Sequence, residues 1–311
     1  MNHHVTVIFI CLLFWLCGFT RAATSGSLTP SQPGGKTMDD GIKIEKAAEG
    51  FVFPEGPVWH PDGYLIFSDV HGATIEKVKS GGGAQTWFSK GKMTNGLIMS
   101  PDKTRIYACC YSERELLEID PKTREHRVLT SRCDGREFNN VNDVAVDDAG
   151  NVYFTDPNWS PKPGDIQGIY RYSPDGMTTL AAEVKLQPNG LVVSPDQKWL
   201  YVDRSGGHDI WRFRHNPDGS LSGGIQWVKL EPDAEPDGMT IDSKGNLYVA
   251  QAGNGKLCVL APDGKVLHLI KVMDRMATNC EFAGADEKTL YVTGGGKQGE
   301  RIGAVYKITF P

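Results

Sequence analysis

The stretch Asn189-Gly-Leu-Val-Val-Ser-Pro-Asp-Gln-Lys-Trp-Leu-Tyr-Val202 decides the fold. A polar acceptor opens it, a short β-branched run follows, Pro195-Asp196 supplies a turn, and Trp199–Val202 forms a second apolar run. Pro presets φ for the turn, and Asp bonds its own backbone two residues on. Branched and aromatic residues on both sides favour strands, so the segment reads as a β-hairpin.

The same pattern recurs along the chain. It opens at Glu55-Gly-Pro-Val-Trp-His, Asn95-Gly-Leu-Ile-Met-Ser, Asn142-Asp-Val-Ala-Val-Asp, Asp237-Gly-Met-Thr-Ile-Asp and Asn279-Cys-Glu-Phe-Ala-Gly. The opening residues are 40, 47, 47, 48 and 42 positions apart. Repeats of that length built from strands read as propeller blades, since a β-helix repeats over far shorter distances. Further strand runs lie between the hairpins: Thr74–Val78, Glu115–Ile119, Gly168–Tyr172, Asp209–Phe213, Lys256–Leu260 and Gly303–Ile308. The sequence therefore predicts an all-β, six-bladed β-propeller over residues 42–311. Residues 42–53 are placed to add an outer strand to the sixth blade and close the ring.

Composition agrees. Of 311 residues, 40% are hydrophobic, enough for a sizeable core, and 36 glycines suit a turn-rich β protein. The net charge of −5 comes without a basic run, which argues against a nucleic-acid partner. Val5–Phe19 is an apolar run too short to span a bilayer comfortably, and Thr20-Arg-Ala22 offers small residues at a cleavage site. Residues 1–22 are expected to be a signal peptide and 23–41 a Ser/Gly/Pro-rich flexible leader. The mature protein is then expected to be secreted or periplasmic, with no membrane contact after cleavage. An uncleaved anchor is the rival reading. Beyond the signal segment five cysteines remain, Cys109, Cys110, Cys133, Cys258 and Cys280, and they read as buried free thiols.

In a propeller the innermost strand of each blade runs along the central channel. Glu55, Asn95, Asn142, Asn189, Asp237 and Asn279 open the six hairpins and are equivalent by repeat symmetry. All six carry oxygen acceptors. Pointed into one channel, they form a cage suited to a hard cation such as Ca²⁺ or Mg²⁺, whose charge two carboxylates balance. With no His or Cys in the ring, Zn²⁺ is disfavoured. Taken singly, each Asn-Gly or Asp-Gly is an ordinary turn dipeptide, and only the sixfold recurrence gives it another meaning.

Several of these stretches carry a family resemblance. Phe53-Pro-Glu-Gly-Pro-Val-Trp-His60, Val141-Asn-Asp-Val-Ala-Val-Asp147 with Phe154-Thr-Asp-Pro157, Gln187-Pro-Asn-Gly-Leu191, Glu235-Pro-Asp-Gly-Met239 and Thr278-Asn-Cys-Glu-Phe-Ala-Gly284 resemble the gluconolactonase and senescence-marker-protein (regucalcin) family. The resemblance runs from about residue 49 to 310. It implies a six-bladed propeller around one divalent metal, most simply Ca²⁺, with Mg²⁺, Mn²⁺ or Zn²⁺ as alternatives. It also implies Glu55, Asn142, Asn189 and Asp237 as metal ligands, with Thr278 or Asn279 adding a contact, and Asp237 as catalytic base. The reaction implied is hydrolysis of a sugar lactone to an aldonic acid. The family's phosphotriesterase branch leaves another ester as an alternative substrate, and a non-enzymatic ligand-binding propeller is the reading from a different class. Asn95 lies in the second blade, which varies within the family. Tyr111 stands where the family often carries His after a Cys-Glu stretch, so the substrate pocket is expected to differ.

Around the metal, Asn95, Asn142 and Asn279 are candidates to contact substrate. His71, Arg204 and His208 each follow a strand that ends near the channel rim and are further candidates, though solvated loop positions explain them equally well. Asp69 and Asp156 are expected to be structural hydrogen-bond acceptors. The chain contains no Gly-x-Ser-x-Gly elbow, which disfavours a covalent serine route. The triple glycines 81–83 and 294–296 lack a following Lys-Ser/Thr and read as turns.

Overall fold

The computed structural model describes residues 41–311 apart from 80, 90 and 298; the expected signal peptide and leader lie outside the described residues. Alternating apolar runs and Asp/Gly turns build six four-stranded antiparallel sheets among the described residues. The innermost strands are Pro54–His60, Thr94–Met99, Val144–Val146, Pro188–Val193, Pro236–Ile241 and Ala277–Ala283. Each pairs with a second strand: Tyr64–Asp69, Ile106–Cys110, Val152–Asp156, Trp199–Arg204, Leu247–Gln251 and Thr289–Gly294 respectively. The third strands coincide with the six runs expected between the hairpins, and a fourth lies outside each. In the sixth sheet that outer strand is Lys43–Phe51, antiparallel to Gly303–Thr309. A two-stranded ribbon, Arg132–Cys133 with Arg136–Glu137, precedes the third blade.

Each inner strand packs on the next, and the sixth packs on the first, so the strands form a ring. The core is correspondingly divided into six apolar clusters, each between neighbouring blades. Val58, Ile66 and Trp87 meet Leu97, Ile106 and Leu117 between blades one and two. Phe51, Phe67 and Val305 join blade one to blade six. The second strand of a blade is thus buried on both faces, because both faces meet another sheet, whereas the outer strands stay largely exposed. Polar bonds latch the same seams. Ser68 Oγ donates to the Asn95 carbonyl at 2.7 Å, Thr155 Oγ1 to that of Asn189 at 2.8 Å, and Thr278 Oγ1 to that of Pro54 at 2.8 Å. All five described cysteines are free and buried, matching the inert reading.

Candidate active site

The six acceptors sit at the starts of the inner strands. There the hairpin register slips: between Glu55 and Val58, Thr94 and Leu97, Pro188 and Leu191, Pro236 and Met239, and Ala277 and Asn279. A bulge inserts a residue, twists the strand and re-aims a side chain. The recurring bulge is what re-aims these acceptors at the ring. In blade three the regular strand starts only at Val144, after Asn142. Glu55, Asn95, Asn142, Asn189 and Asn279 are each no more than 6% exposed, and Asp237 is partly buried.

Two pairs show how the ring is wired. Asn189 Nδ2 donates to Asp237 Oδ1 at 2.7 Å and to Ser205 Oγ at 3.1 Å. Ser205 Oγ in turn donates to the Pro236 carbonyl at 2.8 Å. Asn279 Nδ2 donates to Asp143 Oδ2 at 3.2 Å, while its Oδ1 accepts from the Cys280 amide at 2.8 Å. Glu55 Oε2 accepts from the Gly56 amide at 2.9 Å.

Two further carboxylates join the site, and neither was among the residues expected from the sequence. Asp143 follows Asn142 where four other blades carry Gly, a departure visible in the repeat itself. Asp203 lies on the second strand of blade four at the level where blades one, three and six have Ser68, Thr155 and Thr293. Both Asp203 oxygens are buried with no partner of good hydrogen-bond geometry. No salt bridge among the described residues reaches Glu55, Asp143, Asp203 or Asp237. Burial, followed by the neighbouring Asp143 charge, pushes the Glu55 carboxyl up to about 8. Burial carries Asp143 to about 7, partly offset by the Val144 amide. Asp203 rises well above the ordinary range through burial and then the Asp143 charge. Asp237 does likewise through burial and the charges of Glu55, Asp203 and Asp143, eased by Asn189. Like charges gathered out of water without a counter-ion disfavour ionisation.

Among the described residues no group of three or more His, Cys, Asp or Glu converges on one ion position. What the ring brings together is a set of carboxylates with the amides of Asn189 and Asn279 bonded to two of them, and carboxylate and amide donors of this kind are hard-cation chemistry. The orphaned Asp203 oxygens and the unneutralised carboxylates call for positive charge at that point. The residues therefore fit a hard divalent ion.

The rim residues are placed differently from the ring. His71, exposed on the short turn Val70–Gly72, meets Phe53 edge-on at 5.4 Å. Partial burial lowers its pKa. Arg204 is held by Asp209 through two bonds of 2.7 and 2.6 Å and lies 4.6 Å over Trp211, so its guanidinium is engaged within its own blade. His208 caps the turn Ser205–Gly207 in a left-handed conformation, with Nδ1 buried and unpartnered. Asp69 accepts from the Val52 and Phe53 amides and Asp156 from those of Asn139 and Asn140, the structural role expected for both. The surface groove between blades one and six, about 680 Å³ and lined by Trp59, Tyr64 and Tyr291, touches none of the ring acceptors.

The propeller is shared with known proteins. The SMP-30/Gluconolactonase/LRE-like region family matches residues 53–296. A gluconolactonase of Zymomonas mobilis is 29% identical over 306 residues, covering 88% of this chain and 85% of its own length. A regucalcin of Oryctolagus cuniculus is 31% identical, covering 81% of this chain and 86% of its own length. A gluconolactonase structure from Xanthomonas campestris superimposes with a TM-score of 0.76 at 25% identity, covering 87% of this chain and 90% of that one. With a bulged ring of oxygen acceptors on six blades and a family match over most of its length, the chain belongs to the SMP-30/gluconolactonase/LRE-like family.

Proposed function

We propose that this protein hydrolyses a sugar lactone to the corresponding aldonic acid, using a divalent cation, most simply Ca²⁺, held by Glu55, Asn142, Asn189 and Asp237. One observation carries the reading: the carboxylates of Glu55, Asp143, Asp203 and Asp237 gather at the ring, both Asp203 oxygens are orphaned, and no salt bridge among the described residues supplies counter-charge. The relatives named as gluconolactonase and pentonolactonase support the reaction class, and the carboxylate and amide donor set supports a hard cation such as calcium.

A cation there supplies Lewis acidity to the lactone carbonyl and stabilises the oxygen on which charge develops. Asn189 holds Asp237 Oδ1, which leaves Oδ2 to take a proton from water as that water attacks the carbonyl carbon. The ring C–O bond then breaks, and the departing alkoxide recovers the proton from Asp237. Water is consumed and one carboxylic acid and one hydroxyl are formed. Asn95 and Asn142 are the amides proposed to orient substrate, and His71 and His208 lie at strand ends on the same side. Arg204 enters this reading through the Asp209 pair that holds it.

We further propose that residues 1–22 direct export and are removed, and that Lys43–Phe51 closes the ring. N-terminal sequencing of the native protein tests the first; an intact Met1 in a cytosolic fraction overturns it. For the activity, purified protein is assayed on aldonolactones and on a phosphotriester, with chelator and after Ca²⁺ restoration. Lactone hydrolysis abolished by chelator and restored by Ca²⁺ is expected. Turnover of the phosphotriester alone moves the substrate class, and chelator-resistant lactone hydrolysis removes the metal.

A further inference from the structure

In four blades the residue after the ring acceptor is a glycine at close range to the neighbouring blade. A Cβ at Gly190 would lie 2.2 Å from the Asp237 carbonyl oxygen, and one at Gly238 would lie 1.9 Å from Asn279 Cγ. Glycine is the tolerated residue there, yet blade three carries Asp143. Its Oδ1 accepts from the Val144 amide at 2.9 Å, and its Oδ2 accepts from Asn279 Nδ2 at 3.2 Å. Blades three and six stand opposite one another in a ring of six, so this bond crosses the channel and joins residues 136 apart in sequence.

Both partners are locked in orientation. The Cys280 amide holds Asn279 Oδ1, which leaves Nδ2 to face Asp143. The Val144 amide holds Asp143 Oδ1, which leaves Oδ2 to face Asn279. We propose that Asp143 and Asn279 are a positioning pair, a cross-channel tie that locks blade three to blade six and so holds the ring acceptor next to Asp143, Asn142, in place for the cation. The part concerning the cation rests on the metal reading above; the tie itself does not.

The locked orientations make an exchange the decisive test. In Asp143→Asn alone, two NH₂ groups face each other. In Asn279→Asp alone, two carboxylates do. In the double variant Asp143→Asn/Asn279→Asp, the amide introduced at position 143 keeps the bond from Val144 N–H on its oxygen and turns its NH₂ to the carboxylate introduced at position 279. That carboxylate keeps the bond from the Cys280 amide. The cross-channel bond is remade with its polarity reversed, the two backbone bonds are kept, and the net charge is unchanged.

Thermal unfolding in chelator, which needs neither metal nor substrate, is expected to show each single variant lowered by roughly 2–8 °C. The exchange variant is expected to recover to within about 2 °C of the parent. Calorimetric titration with Ca²⁺ is expected to show Asp143→Asn weakened by roughly tenfold, for one lost charge near the site, and the exchange variant within about threefold of the parent. Additive losses in the exchange variant overturn the tie, as does an exchange variant that does not fold. Recovered unfolding with Ca²⁺ affinity still at the Asp143→Asn level makes Asp143 itself a ligand and overturns the positioning role. A parent protein that binds no Ca²⁺ removes the metal reading and leaves the chelator comparison to decide the tie.

Discussion

Asp237 and Glu55 both bring a carboxylate to the ring, but their surroundings divide their roles. Asp237 has one oxygen held by Asn189, whereas Glu55 is bonded by the amide of its own neighbour, Gly56. Asp237→Asn keeps shape and an acceptor but removes basicity. The expected loss in kcat is roughly 10²–10⁴-fold and is not repaired by excess metal. Glu55→Gln is expected to weaken metal binding chiefly, so activity recovers in part as Ca²⁺ is raised. Lactone hydrolysis by both variants across a Ca²⁺ titration checks this. Asp237→Asn within about threefold of the parent at saturating metal would remove Asp237 as the base. Gly238 sets a different limit, because the Asn279 side chain fills the space a methyl would need. Gly238→Ala is expected to lose roughly 2–4 kcal/mol in chelator, measured by denaturant unfolding. A loss under about 0.5 kcal/mol would show that the neighbouring blade gives way.

Among the strands, the outer one of blade six carries the clearest consequence. Lys43–Phe51 covers the edge of Gly303–Thr309 and places Ala48 and Phe51 in the cluster with Leu65, Phe67 and Val305. Its removal uncovers both an apolar seam and a row of unpaired backbone groups. Deletion through residue 51 is expected to give insoluble or unfolded protein, while deletion through residue 40 is expected to leave the unfolding temperature within about 2 °C. Circular dichroism on the soluble fractions checks both. A folded, soluble protein lacking residues 1–51 would show that the ring holds without that strand. The bulges at the ring are the other consequential feature of the elements. Each trades regular pairing for a side chain aimed at the channel, which is why site and irregularity coincide.

At the scale of the whole molecule, ring closure concentrates charge. Glu55 near 8, Asp143 and Glu281 (on the inner strand of blade six, bonded by the Thr240 hydroxyl) near 7, and Asp156 near 6 all hold protons more tightly than free carboxyls, chiefly through burial. A raised native pKa means that the folded state binds more protons than the unfolded one. The stability it contributes is therefore full below about pH 4 and is lost as pH climbs towards 8. Metal-free protein is expected to become less stable over that interval. A cation must displace the protons on the ring carboxyls, so the gain in unfolding temperature on adding Ca²⁺ is expected to grow between about pH 5 and 8. Scanning calorimetry with and without chelator at several pH values checks this. A gain independent of pH would show that the ring carboxyls do not exchange protons for the ion.

The sequence by itself determined the blade count, the hairpins and the six acceptors that open them, because strand period, turn chemistry and repeat spacing are local properties written in consecutive residues. It also marked Asp69 and Asp156 as structural acceptors, from their place at strand ends. It did not disclose the bulges, which depend on how two strands register, or that Arg204 is engaged by Asp209 and Trp211. Asp203 was not recognisable as part of the site, since its level is set by pairing with the strand that begins at Pro188. Asp143 was visible as a break in the Asn-Gly pattern, but its partner was not. Asn279 lies on the opposite side of a ring that exists only once all six repeats have closed, so a bond across the channel is a property of the tertiary structure alone.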